Sequence, residues 1–133
     1  METKRYFSKS ESGTYAVSKE IYKDLSGVCL ILLKGDLGVG KTVFVKGIAK
    51  AMGIEENITS PTYGIKNCYD GLIHYDLYLS DKKVDLGNLL EEDMENALVI
   101  IEWGDKLPKK FAKIAKTVEI SLDEQCNRLI EVY

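Results

Sequence analysis

Gly35-Asp36-Leu37-Gly38-Val39-Gly40-Lys41-Thr42 decides the fold. Its spacing is G-x-x-x-x-G-K-[S/T], that of the phosphate-binding P-loop. Gly35 and Gly40 let the backbone turn tightly, so that successive N–H groups face a phosphate chain. Lys41 has the reach for the β and γ oxygens, and Thr42 offers a hydroxyl to Mg²⁺. The helix expected after the loop adds its positive end to the same anion. Asp36 reads as a residue that bonds the local backbone. The glycines are spaced G-x-x-G-x-G, not G-x-G-x-x-G, which argues against a dinucleotide fold.

Outward from the loop, Val28 to Leu33 is a continuous apolar run, as expected of a strand covered on both faces. A helix is predicted after the loop to about Met52, with Gly53 as its stop. Such a site also needs a carboxylate at the end of a neighbouring apolar strand to hold Mg²⁺ directly or through water. Ala97 to Ile101 followed by Glu102 has that form, although an acid there also serves as a strand-end cap. Asp76 ends the strand Leu72 to Tyr75. It reads as a water-orienting base or as a turn carboxylate. His74 shares a face with Asp76 in a regular strand, either carrying a proton or packed and hydrogen-bonded. Trp103 is expected on the face opposite Glu102, as packing or as a base-stacking group.

The remaining segments complete an α/β pattern. Lys4 to Ser8 reads as a first strand. A helix follows from Tyr15, with Val17, Ile21 and Leu25 on one face, capped by Ser12 or Thr14 and stopped by Gly27. Ser60-Pro61-Thr62 is a loop. Tyr63 to Tyr69 and Leu72 to Tyr75 flank Asp70-Gly71 as a hairpin. Asp81 to Asn96 is acidic and helical in pieces, with Glu91, Glu92, Asp93 and Glu95 read as solvated. Lys106 to Lys116 is helical after Pro108. On a helix most of its lysines 106, 109, 110, 113 and 116 would share a broad face, solvated or set against nucleic-acid phosphates. Thr117 to Leu122 and Arg128 to Tyr133 form a closing hairpin. The expectation is one domain over residues 1–133, with three layers and a mixed parallel and antiparallel sheet.

Composition bounds the function. The 133 residues are 45% hydrophobic and 29% charged with only 2 prolines, enough for an ordinary core without disulfides or metal. A net charge of −3 does not suggest a dedicated nucleic-acid-binding domain. No apolar run approaches the ~20 residues of a membrane helix, and the start lacks a signal-peptide core, so a cytoplasmic location is expected. Cys29, Cys68 and Cys126 read as reduced thiols, and His74 as sole histidine excludes a multi-histidine site. Of 18 cationic residues only Arg5 and Arg128 are arginine. A small P-loop kinase, the main alternative, needs arginines over the transferring phosphate. A module using ATP only as a structural ligand is a third reading. Against it, Lys41, Thr42, Asp76 and Glu102 favour hydrolysis, slow without a partner because arginine is scarce.

These motifs together resemble the TsaE family, formerly YjeE, small bacterial P-loop ATPases of tRNA threonylcarbamoyladenosine synthesis. The likeness rests on Gly35 to Thr42, Ser60-Pro61-Thr62-Tyr63, His74-Tyr75-Asp76-Leu77-Tyr78 and Ile101-Glu102-Trp103, in order and spacing. It implies ATP held by Gly35, Asp36, Leu37, Gly38, Val39, Gly40, Lys41, Thr42 and Val43, and Mg²⁺ at Thr42 and Glu102. Lys41, Asp76 and Glu102 would be the catalytic residues. It implies a switch-like loop at Ser60, Pro61, Thr62 and Tyr63, and an approach of Ser10, Glu11 and Thr14 to adenine or ribose. It further implies action with a TsaD-like transferase and its TsaB-like paralogue, resetting that pair between turnovers, with any tRNA contact indirect and no membrane. Two positions depart from the family pattern: Leu79 stands where an arginine is usual, and Val43 where a second threonine is usual.

Overall fold

The computed structural model describes residues 3–36, 38–59, 66–77, 87–103 and 107–133. The elements run β1 (Lys4–Ser8), α1 (Glu11–Lys23), β2 (Leu30–Lys34), α2 (Lys41–Ala51), β3 (Lys66–Tyr69) and β4 (Leu72–Asp76). They continue with α3 (Gly87–Asn96), β5 (Leu98–Glu102), α4 (Lys109–Ile114), β6 (Lys116–Leu122) and β7 (Arg128–Val132). One sheet of seven strands forms in the order β1-β7-β6-β2-β5-β4-β3. Its centre, β6-β2-β5-β4, is parallel. The β3–β4 and β6–β7 hairpins and the β1–β7 pair are antiparallel. The sheet is therefore mixed, with a C-terminal hairpin.

Two apolar cores follow from the period-two alternation of the strands. On one face α1 and α2 bring Ile21, Phe44, Val45 and Ile48 onto Ile31, Leu33, Ile100, Val118, Ile120 and Ile130. On the other, Leu90 of α3 and Phe111 of α4 cover Leu30, Ile73, Tyr75, Val99 and Ile101. Each fully buried side chain of this size contributes roughly 1.5–3 kcal/mol. Three layers result, and the central parallel strands, apolar on both faces, point their C-terminal ends one way.

Several elements differ from expectation, each for a local reason. α1 starts at Glu11, not Tyr15, because Ser10 adopts an extended backbone and its side chain accepts from the Gly13 N–H. Ser12 and Thr14 thus lie inside the helix. The helix stops at Lys23, before Gly27, with Asp24 as its C-cap. The acidic segment is not uniformly solvated: Asp93 is buried, bonded to the Tyr75 hydroxyl at 2.5 Å and to Lys66 Nζ at 3.0 Å. The lysine run does not share one face. α4 spans only Lys109–Ile114, and Lys116 opens β6. Lys110 pairs with Glu91 at 2.9 Å, and both are exposed. Leu37, Ser60, Pro61, Thr62, Tyr63, Tyr78, Leu79 and Lys106 lie outside the described residues. Cys29, Cys68 and Cys126 are free thiols. Among the described residues no helix is long and apolar enough to cross a membrane.

Candidate functional site

The loop predicted to bind phosphate joins β2 to α2. Its last glycine, Gly40, is the N-cap of α2 at φ 103°, with no side-chain cap bond and no acid in the first turn. α1 differs, since Ser10 caps it and Glu11 opens its first turn. The cap position therefore offers no side-chain acceptor to the first turn of α2, a helix start suited to an anion. Gly35 is required by contact: a Cβ there would meet the Ile120 carbonyl oxygen at 2.7 Å. Asp36 is exposed, and its backbone carbonyl accepts from Val39 N–H at 3.4 Å.

Parallel register brings the two candidate carboxylates beside the loop. Glu102 ends β5 opposite Leu33 of β2, and Asp76 ends β4 opposite Glu102. Ligands of open α/β sheets bind at these strand ends. Lys41 Nζ lies 3.5 Å from Glu102 Oε1, with both side chains almost fully buried. His74 is fully buried, and its Nε2 lies 2.5 Å from Glu102 Oε2. Of the two sequence readings of His74, the packed and hydrogen-bonded one describes its setting. Its Nδ1 has no hydrogen-bond partner among the described residues. Burying the Lys41–Glu102 pair costs desolvation of both ions, which their mutual contact and the His74 bond to Glu102 offset. Trp103 leaves β5 at φ 60°. As the strand period predicts, it packs against the core on the α3–α4 face. The turn also brings its ring under Lys41 Nζ, 4.2 Å from the centroid, a contact that alternation alone does not give.

A cleft of about 330 Å³ collects these groups: Glu11, Gly38, Gly40, Lys41, Thr42, Val43, Asp76, Glu102, Trp103 and Arg128 line it. A second cleft of about 650 Å³ opens on the β6 side of the loop and shares Lys41 and Trp103 with the first. A wider depression of about 670 Å³, from Tyr15 to the turn after α2, shares no residue with the loop. Val43 and Glu11 both line the first cleft. Ser10 sits one residue earlier as the cap. Thr14 is fully buried, its hydroxyl spent on Ser8 Oγ at 2.8 Å and the Ser10 carbonyl at 3.2 Å. It shapes the start of α1 from beneath. For a metal, the cleft offers the Thr42 hydroxyl and the Asp76 and Glu102 carboxylates. All are hard oxygen donors that fit Mg²⁺, an ion that takes one or two protein ligands and completes its shell with phosphate and water.

Arg128, absent from the sequence-derived site, reaches into the same cleft. It opens β7 opposite Ser8 of β1, and its Nε donates to the Val39 carbonyl at 3.1 Å. In the sequence it stood out as one of two arginines, at the start of the last strand, and 89 positions separate it from Val39.

A parallel-centred three-layer sheet, with this loop and two acids at the ends of the adjacent strands, defines a P-loop NTPase-like protein. The family model for "Threonylcarbamoyl adenosine biosynthesis protein TsaE" matches residues 8–130, and the chain belongs to the TsaE family. Relatives named tRNA threonylcarbamoyladenosine biosynthesis protein TsaE include that of Aquifex aeolicus, 35% identical over 98% of this chain and 96% of its own. That of Treponema pallidum is 30% identical over 96% and 98%. The crystal structure of Bacillus subtilis YdiB aligns with 98% of this chain and 84% of its own at a TM-score of 0.75 and 22% identity, which speaks to the fold.

Proposed function

We propose that this chain is a Mg²⁺-dependent ATPase subunit required for threonylcarbamoyladenosine formation in tRNA, working in the cytoplasm with a TsaD-like transferase and its TsaB-like paralogue. One observation carries the reading: Lys41, Thr42, Asp76 and Glu102 converge on a single cleft at the mouth of the loop. In this reading residues 35–43 cradle the triphosphate. Lys41 exchanges Glu102 for phosphate oxygens and neutralises charge that grows there. Glu102, released from Lys41 but still held by His74, and the Thr42 hydroxyl would hold Mg²⁺. Bound there, the ion would supply charge neutralisation to the phosphate chain. Asp76 orients a water and takes its proton as the water oxygen bonds to the terminal phosphorus. The bond to the bridging oxygen breaks and ADP leaves with that electron pair. Glu11 and the Ser10 turn would approach adenine or ribose, and Ser60 to Tyr63 would report the terminal phosphate.

Turnover in isolation is slow in this account. Arg5 is exposed and pairs with Glu131 on the far edge of the sheet, so Arg128 is the one arginine of the chain at the cleft. Charge stabilisation of the transferring group is then completed by partners. The test is multiple-turnover threonylcarbamoyl transfer to tRNA by the transferase pair, supplied with an activated threonylcarbamoyl donor. With this chain and ATP, modified tRNA should exceed the transferase many-fold. With Lys41→Ala in its place, product should stop near one equivalent. Equal product in the two reactions contradicts the proposal.

A further inference from the structure

Arg128 stands in the cleft with a defined contact that no part of the hydrolytic scheme uses. Its Nε donates to the Val39 carbonyl at 3.1 Å, inside the loop itself. The approach is close: a Cβ on Gly40 would lie 2.8 Å from the same Nε. Gly40 thus meets two demands, the φ of 103° and room for the guanidinium. The peptide between Val39 and Gly40 is trans, so its C=O and N–H point in opposite directions. Holding the carbonyl at Arg128 therefore fixes the Gly40 N–H on the other side. That N–H belongs to the turn that opens α2, where no side chain caps the helix. β7 anchors the arginine from behind, with Arg128 in register with Ser8 of β1 and Ser8 Oγ donating to the Ser10 carbonyl at 2.7 Å.

We infer that Arg128 is a positioning residue of the phosphate-binding loop. It clamps the Val39 peptide so that the Gly40 amide is already aimed when the phosphate chain arrives. The inference rests on the nucleotide-binding reading above. Guanidinium suits the task because it keeps its charge at any working pH and donates along fixed directions.

In the full-length chain, Arg128→Met and Arg128→Lys are compared with the wild type for Mg·ADP and Mg·ATP affinity by calorimetry. The melting temperature and the Gly40 amide resonance are followed without ligand. Loss of one charge-assisted hydrogen bond predicts roughly tenfold weaker binding in Arg128→Met, equal for ADP and ATP, with Arg128→Lys in between. The Gly40 amide should shift and exchange faster with water in both ligand-free variants. A lower melting temperature with unchanged affinities and an unmoved Gly40 amide would reduce Arg128 to a structural contact and overturn the inference. Loss confined to ATP would overturn it too, by placing the guanidinium directly on the terminal phosphate. If Arg128→Met does not fold, Arg128→Lys carries the same comparisons. A wild-type chain that binds neither nucleotide contradicts the functional reading itself, whereas a normal wild type with unaffected variants contradicts only the inference.

Discussion

Lys41 sits between Glu102 and the face of Trp103, and the proposed function has it leave both for phosphate oxygens. The buried carboxylate serves two partners, Lys41 and His74. Glu102→Ala leaves both stranded, and breaking a buried pair in this way costs about 3 kcal/mol. Urea unfolding of the ligand-free variant should show that loss, and a change under about 1 kcal/mol would mean the pair is not holding compensated charge. Trp103 is the only tryptophan in the chain. Adding Mg·ATP should withdraw Lys41 from its ring and change the emission, and Lys41→Ala should abolish the nucleotide-dependent part. Unchanged emission on saturation contradicts the exchange of partners by Lys41. Spacing made Lys41, Thr42 and Glu102 legible in the sequence, because the chemistry dictates those residue types at those offsets. The pairing of Trp103 with Lys41 was not legible, since it depends on a left-handed backbone just past the strand. Arg128 was not, since its contact depends on how the last strand closes the sheet.

Elements are tied together by a second polar cluster, on the opposite face. Tyr75 of β4 donates to Asp93 of α3, which also pairs with Lys66 of β3. Burial, then the bond to Asp93, pushes the Tyr75 hydroxyl well above its ordinary value of 10.0. A phenol that stays protonated when folded but ionises when unfolded contributes stability below about pH 10 that is lost as pH rises beyond it. Tyr75→Phe should cost about 1–2 kcal/mol near neutrality, and its stability should fall less steeply above pH 10 than that of the wild type. Parallel denaturation curves across that range would contradict the assignment. The sequence hid this latch, because an aspartate within an acidic run reads as solvated until a tyrosine and a lysine from two other strands reach it. The start of α1 was also displaced: Ser10, not Ser12 or Thr14, had the extended backbone a cap requires. Strands were read more closely, since β1, β2 and β5 to β7 carry their pattern in the apolar alternation or in continuous apolar runs.

At the scale of the molecule, the strand order puts the loop strand β2 between β5 and β6. One edge of the parallel centre then carries the two acids, and the other leads through β6 and β7 to Arg128 and α1. The cleft lies where these halves meet. The same architecture brings a single arginine to the cleft, in keeping with the proposed ATPase that depends on partners. The most direct test is Mg²⁺-dependent phosphate release by the purified chain, alone and with a reconstituted TsaB–TsaD pair, with Lys41→Ala as the blank. Slow release alone and a clear rise with the pair are expected. Release indifferent to the pair, or none above the blank, would contradict the proposal.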